Sequence, residues 1–129
     1  MKQQGPRNIG IATLLKYRLP LPGVASILHR LSGVILFLLI PFILWILHLS
    51  LASQVQFLMV KDYLASPIVA FLMWLTLSAL FYHLIAGIKH LLMDIGYFEE
   101  KGSAKLASIL VLLFGILGVI GIGVWILWA

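Results

Sequence analysis

The sequence predicts an all-α membrane protein with three transmembrane helices, and two observations carry that expectation. The first is composition. The 129 residues are 63% hydrophobic and only 10% charged, with a mean hydropathy of +1.14, whereas a water-soluble domain carries about 25% charged residues. The second is the distribution of charge. Residues 31–60, 63–88 and 106–129 form stretches of 30, 26 and 24 residues without Asp, Glu, Lys or Arg. About 20 apolar residues rising 1.5 Å each cross a ~30 Å hydrocarbon core. Each stretch is long enough, whereas the strands of a membrane β-barrel would alternate over about 10 residues.

Taken in order, residues 1–22 form a polar lead-in, which Pro6, Pro20 and Pro22 keep from being one continuous helix. The lead-in is too polar, and the first apolar run too late and too long, for a cleaved signal. The first helix is expected over about 24–51, kinked at Pro41, where the ring removes a backbone bond toward Phe37. Residues 52–65 read as interfacial. Ser66-Pro67 is a helix start with proline at the first helical position, and the second helix runs from there to Ile95, ended by Gly96. The third is expected over 103–128. Its Gly115, Gly118 and Gly121 recur every three residues, a smooth stripe on which another helix can pack closely, although glycine is also simply common in membrane helices. The chain thus reads as one transmembrane domain over 1–129.

Charge asymmetry orients it. Lys2, Arg7, Lys16, Arg18 and Arg30 precede or open the first helix, and Lys89, Lys101 and Lys105 flank the second connection, against Lys61 alone at the other end. The positive-inside rule therefore places the N-terminus in the cytoplasm and the C-terminus, with Trp125 and Trp128, at the opposite interface. The expected location is the bacterial cytoplasmic (inner) membrane, crossed several times. The net charge of +5 needs no nucleic acid to explain it. The basic face, which also carries Asp94, Glu99 and Glu100, suits lipid headgroups or a docked protein.

Ionisable groups inside a span are costly and usually functional. In the second helix, His83, Gly87, His90 and Asp94 fall at offsets 0, 4, 7 and 11. At 100° per residue these lie within an arc of about 60°. His83 is six residues from Lys89, roughly 9 Å below the boundary, too deep to reach the surface. A neutral imidazole there can ligate haem iron, carry protons or hydrogen-bond within the bundle, and Gly87 on the same face leaves room for a flat macrocycle. His90 and Asp94 can equally be interface polars that finish the helix. In the first helix, Ser26, His29, Arg30 and Gly33 share a face at the boundary. Arg30 there can pair with Asp94 or a haem propionate, and a hydroxyl beside it can bind a quinone carbonyl, or the group can be simple capping. His48 lies 18 residues beyond Arg30, about 27 Å away at the far interface. His29 is expected about 10 Å shallower than His83. A bis-His haem would then take its second ligand from another polypeptide. The chain has no cysteine, which excludes disulfides, thiolate-held iron–sulfur clusters and covalent haem attachment.

Ser26-Ile-Leu-His29-Arg30-Leu-Ser32-Gly33 resembles the S-x-x-H-R-x-[ST]-G signature of the larger membrane-anchor subunit, a cytochrome b subunit, of succinate dehydrogenase (Complex II). His83-x-x-x-Gly87-x-Lys89-His90-x-x-x-Asp94 followed by Gly96-Tyr97 is similar to that family's second signature. Lys89 stands where arginine is frequent, and the lead-in Gly5-Pro6-Arg7-Asn8 departs from the family's Arg-Pro pattern. The resemblance implies an anchor for an iron–sulfur subunit and a flavoprotein subunit, beside a second small membrane-anchor subunit. Electrons from succinate would pass through the clusters to ubiquinone. It further implies that His83 is an axial ligand of haem b and its iron, with the other ligand on the second anchor. His29 and Arg30 would approach the haem propionates, and Ser26 and Arg30 would line the quinone site. The chain alone, without a flavin site or cluster ligands, is not expected to be catalytic. The alternatives are a small transporter or proton-conducting subunit using His83, His90 and Asp94, or a haemless fumarate reductase anchor.

Overall fold

Several helix ends coincide with local signals in the sequence. The computed structural model describes residues 19–128. It has four helices: α1 (Leu21–Ala52), α2 (Gln54–Leu64), α3 (Pro67–Asp94) and α4 (Lys101–Trp128), with no strand among the described residues. Of the expected lead-in over 1–22, residues 1–18 lie outside the described residues. Its end is corrected, because Leu21 and Pro22 are already helical, with Pro20 as the N-cap. A proline in the first turn has no intrahelical N–H bond to lose, so it starts the helix instead of blocking it. α1 continues through Pro41.

Ser53 caps α2 by accepting from the Gln56 N–H at 3.2 Å. At 11 residues α2 is too short to span, and it is held to α1 by the Trp45–Tyr63 stack at 5.9 Å. Ser66 accepts from the Val69 N–H at 3.4 Å and caps α3, with Pro67 first in the helix. The far end of α3 closes with Gly96 at φ 91°, the Tyr97 N–H donating to the Leu92 carbonyl and the Gly96 N–H to the Met93 carbonyl. This is the paired arrangement that a left-handed glycine permits after a helix.

α1, α3 and α4 are long and apolar enough to cross a membrane, as expected. The packing is that of a lipid-facing bundle. Most of the buried residues in the three spans are small: Ala25, Ser32, Thr76, Ser78, Ala79, Ala86, Ala107, Ser108 and Gly115, with Ile46, Lys89 and Val111 the exceptions. The large side chains, such as Phe37, Phe71, Leu84 and Ile116, point outward. Lipid tails solvate leucine as well as protein does, so spans associate through close backbone approach and a few hydrogen bonds. α3 is the central helix, packed against both α1 and α4.

The glycine stripe of α4 is used within the chain. A Cβ on Gly115 would come within 3.0 Å of the Tyr82 ring, one on Gly118 would overlap the Phe81 ring, and one on Gly123 would meet Trp74 Nε1 at 3.1 Å. Gly121 has open space around it. The seat for aromatic rings is therefore 115, 118 and 123, and not the 115–118–121 repeat. Gly118→Ala should destabilise the bundle by about 1–3 kcal/mol, the usual cost of overpacking, whereas Gly121→Ala should be neutral. Thermal unfolding in detergent, monitored by circular dichroism, checks the contrast.

Candidate functional site

Three histidines form a column at the α1–α3 interface. The His29 ring stacks on His83 with centroids 4.2 Å apart and planes at 24°. Its other neighbour is His90, at 4.9 Å and 19°. One imidazole from α1 is thus inserted between two from α3. The expectation that His29 lies about 10 Å shallower than His83 is overturned. It took Arg30 as the edge of the membrane, but α1 begins at Leu21, so His29 is already about 12 Å along the helix. The glycines make the insertion possible. A Cβ on Gly87 would meet His29 Nε2 at 3.5 Å, and one on Gly33 would meet His83 Cε1 at 3.0 Å. The space beside Gly87, expected to admit a macrocycle, is occupied by His29.

Hydrogen bonds fix the orientation of His83. Ser32 Oγ donates to the His29 carbonyl at 2.7 Å. His83 Nδ1 lies 3.0 Å from Ser32 Oγ and 3.1 Å from the His29 carbonyl. Ser32 has committed its proton to a carbonyl, and the other partner is a carbonyl, so both can only accept. Nδ1 of His83 therefore carries a hydrogen, and in the neutral ring Nε2 keeps its lone pair. Ser32 stands inside the first signature, three residues after His29, but on a different face from Ser26 and Arg30. The signature alone assigns it no role; a hydroxyl within a turn of a buried histidine is the signal that could have found it.

The remaining candidates are placed less tightly. His90 Nδ1 lies 2.7 Å from the Ala86 carbonyl one turn back. His29 Nε2 is buried and has no hydrogen-bond partner. The partners of His83 Nδ1 and His90 Nδ1 are hydroxyl and carbonyl oxygens. Ser26 is half-buried, and Arg30, Asp94 and His48 are exposed. Of the two partners open to Arg30, Asp94 is not paired with it among the described residues, where both side chains are exposed. Above the column the Tyr82 hydroxyl donates to the Ala25 carbonyl at 3.1 Å, tying α3 to α1 one residue before Ser26. Among the described residues no group of three or more His, Asp or Glu is placed to hold a bare metal ion.

The tautomer is directly observable. With ¹⁵N-labelled histidine, His83 should report a protonated Nδ1. Ser32→Ala should weaken that bond and destabilise the bundle by about 1 kcal/mol, read as a changed Nδ1 shift and a lowered unfolding temperature.

Comparison with known proteins covers nearly the whole chain. The model of the family described as succinate dehydrogenase/fumarate reductase transmembrane subunit matches residues 7–122. The succinate dehydrogenase cytochrome b556 subunit of Coxiella burnetii is 34% identical over 127 residues, covering 98% of this chain and 99% of that one. The protein of the same name from Paracoccus denitrificans is 38% identical over 96 residues, 71% of each chain. The succinate dehydrogenase cytochrome b560 subunit of Marchantia polymorpha is 31% identical over 101 residues, 74% of each. With three helices long and apolar enough to span a membrane, a family model matched over residues 7–122 and a relative that covers 98% of its length, this chain belongs to the succinate dehydrogenase/fumarate reductase transmembrane subunit family.

Proposed function

We propose that this chain binds haem b through His83 and, in a succinate dehydrogenase complex, helps carry electrons from iron–sulfur clusters to ubiquinone. The observation that carries this reading is the fixed tautomer of His83. A histidine that ligates iron needs an unprotonated nitrogen and is normally held by a hydrogen bond from the other. His83 has that arrangement, with Nδ1 held by the His29 carbonyl and Ser32 and Nε2 without a bond to the described residues. Haem b, when bound, supplies a one-electron redox centre within the membrane.

The second axial ligand comes from another polypeptide. His29 does not serve, because rings stacked at 4.2 Å leave no gap for a macrocycle between them. A second small anchor subunit is the proposed donor. His29 has a different use: its buried Nε2 lacks a partner, and as an N–H it fits a carboxylate oxygen such as a haem propionate. The exposed Arg30, next in the chain, fits the same anion.

Ser26 and Arg30 are one turn apart on α1 and are the proposed contacts to ubiquinone, a hydroxyl and a guanidinium able to donate to a quinone carbonyl. The chain carries no cysteine for clusters, so the flavoprotein and iron–sulfur subunits of such enzymes supply the succinate chemistry, docked on the basic end. That end faces the cytoplasm of a bacterial inner membrane by the positive-inside rule.

In the complex purified with its natural partners, His83→Ala should abolish the low-spin b-type spectrum. An unchanged spectrum removes His83 as ligand, and the absence of haem in the wild-type complex favours a haemless anchor. Ser26→Ala and Arg30→Leu should lower succinate:quinone reductase activity, the arginine change by roughly tenfold or more, as expected for a charge-assisted hydrogen bond, while leaving electron transfer to a soluble dye intact.

A further inference from the structure

Lys89 differs from the other basic residues of the bundle. Arg30, Lys61, Lys101 and Lys105 are exposed, whereas Lys89 is only 5% exposed. It lies about 120° around α3 from His83, on the seam with α4 and away from the histidine column. Its side chain lines a groove of about 260 Å³ formed with Ile88, Leu92, Phe98, Leu110 and Phe114. Lys89 makes no hydrogen bond to a described residue, and residues 1–18 contain no acid that could pair with it. Asp94 lies about 140° away on the same helix and is exposed. Asp62, Glu99 and Glu100 are exposed as well, and no described acid forms an ion pair with Lys89. A largely buried lysine without a counter-ion is costly, so an anion from outside the chain would stabilise it.

The groove narrows the choice. Apart from Lys89 its lining is apolar, and Ile88, Leu110 and Phe114 are 47%, 44% and 55% exposed, so it opens to the bilayer. A soluble anion would answer the ammonium and leave the groove empty. A neutral lipid would fill the groove and leave the ammonium unpaired. Lys89 is five residues from the end of α3, about 7.5 Å, a depth at which its stem can carry the charge up to the headgroup region. We propose that this α3–α4 seam is a binding site for an anionic phospholipid, with the phosphate on Lys89 and an acyl chain along Leu92, Leu110 and Phe114.

The test uses the protein purified with its natural partners in mild detergent, with dioleoylphosphatidylglycerol and dioleoylphosphatidylcholine as probes in native mass spectrometry. Phosphatidylglycerol should be retained preferentially. Lys89→Met should lower its occupancy by roughly tenfold, Lys89→Arg should preserve it, and Leu110→Trp should block it by filling the groove with Lys89 in place. A phosphatidylglycerol with a photoreactive acyl chain should label α4 around Leu110 and Phe114 in the unaltered protein, a readout that needs no variant to fold. Equal retention of the two lipids, undiminished binding to Lys89→Met, displacement by inorganic phosphate, or labelling confined to other helices would each overturn the proposal.

Discussion

Hydrocarbon offers no partner to a polar atom, and that constraint organises the bundle. A donor placed within a span favours an acceptor on protein; among the described residues His29 Nε2 and Ser78 Oγ are the exceptions. On the central helix three side chains reach the neighbouring spans. Tyr82 bonds to the Ala25 carbonyl and Trp74 Nε1 to the Val119 carbonyl at 3.0 Å, while His83 is held by the His29 carbonyl and Ser32. Each of these atoms has a single productive height along its partner helix. Together they set the slide of α1 and of α4 against α3, and with it the level at which the histidines meet.

Small residues provide the room that these bonds need. Helices that touch through Ala25, Ala79, Ala86 and Ala107 bring their backbones close enough for a ring on one to reach a carbonyl on the next. The glycines then receive the rings: Gly33 takes the edge of His83, Gly87 that of His29, Gly115 and Gly118 the aromatic pair Tyr82 and Phe81. Filling the α1–α3 interface in this way leaves no slot for a macrocycle between His29 and His83. On the proposed reading, the second ligand of a haem on His83 would therefore come from a partner anchor.

The spans, their caps and the chemistry at one end were legible in the sequence because each is a local property. Charge-free length gives a span, Ser66-Pro67 gives a start and Gly96 gives an end, and neighbouring residues do not change those meanings. The site was legible only as a set of residue types on helix faces. Ser26, His29 and Arg30 share a face of an isolated α1, but in the bundle His29 turns into α3 while Arg30 stays exposed. Ser32, off that face, is the residue that contacts His83. The glycine repeat misleads for the same reason, since a three-residue period in α4 cannot say which of its members will oppose a ring on α3.

By itself, then, the sequence determined that this is a membrane protein of three spans, that its polar exceptions lie on two of them near one surface, and that any redox metal must be held without cysteine. Only the tertiary structure decided that His29 enters the column between His83 and His90, that His83 presents Nε2, that Gly87 seats a histidine and that Lys89 is buried on the opposite seam. The physical reason is one of range. Hydropathy and charge sum along a single segment, whereas stacking, tautomer and burial depend on the rotation and slide of one helix against another, which close packing and a few interhelical hydrogen bonds settle at once.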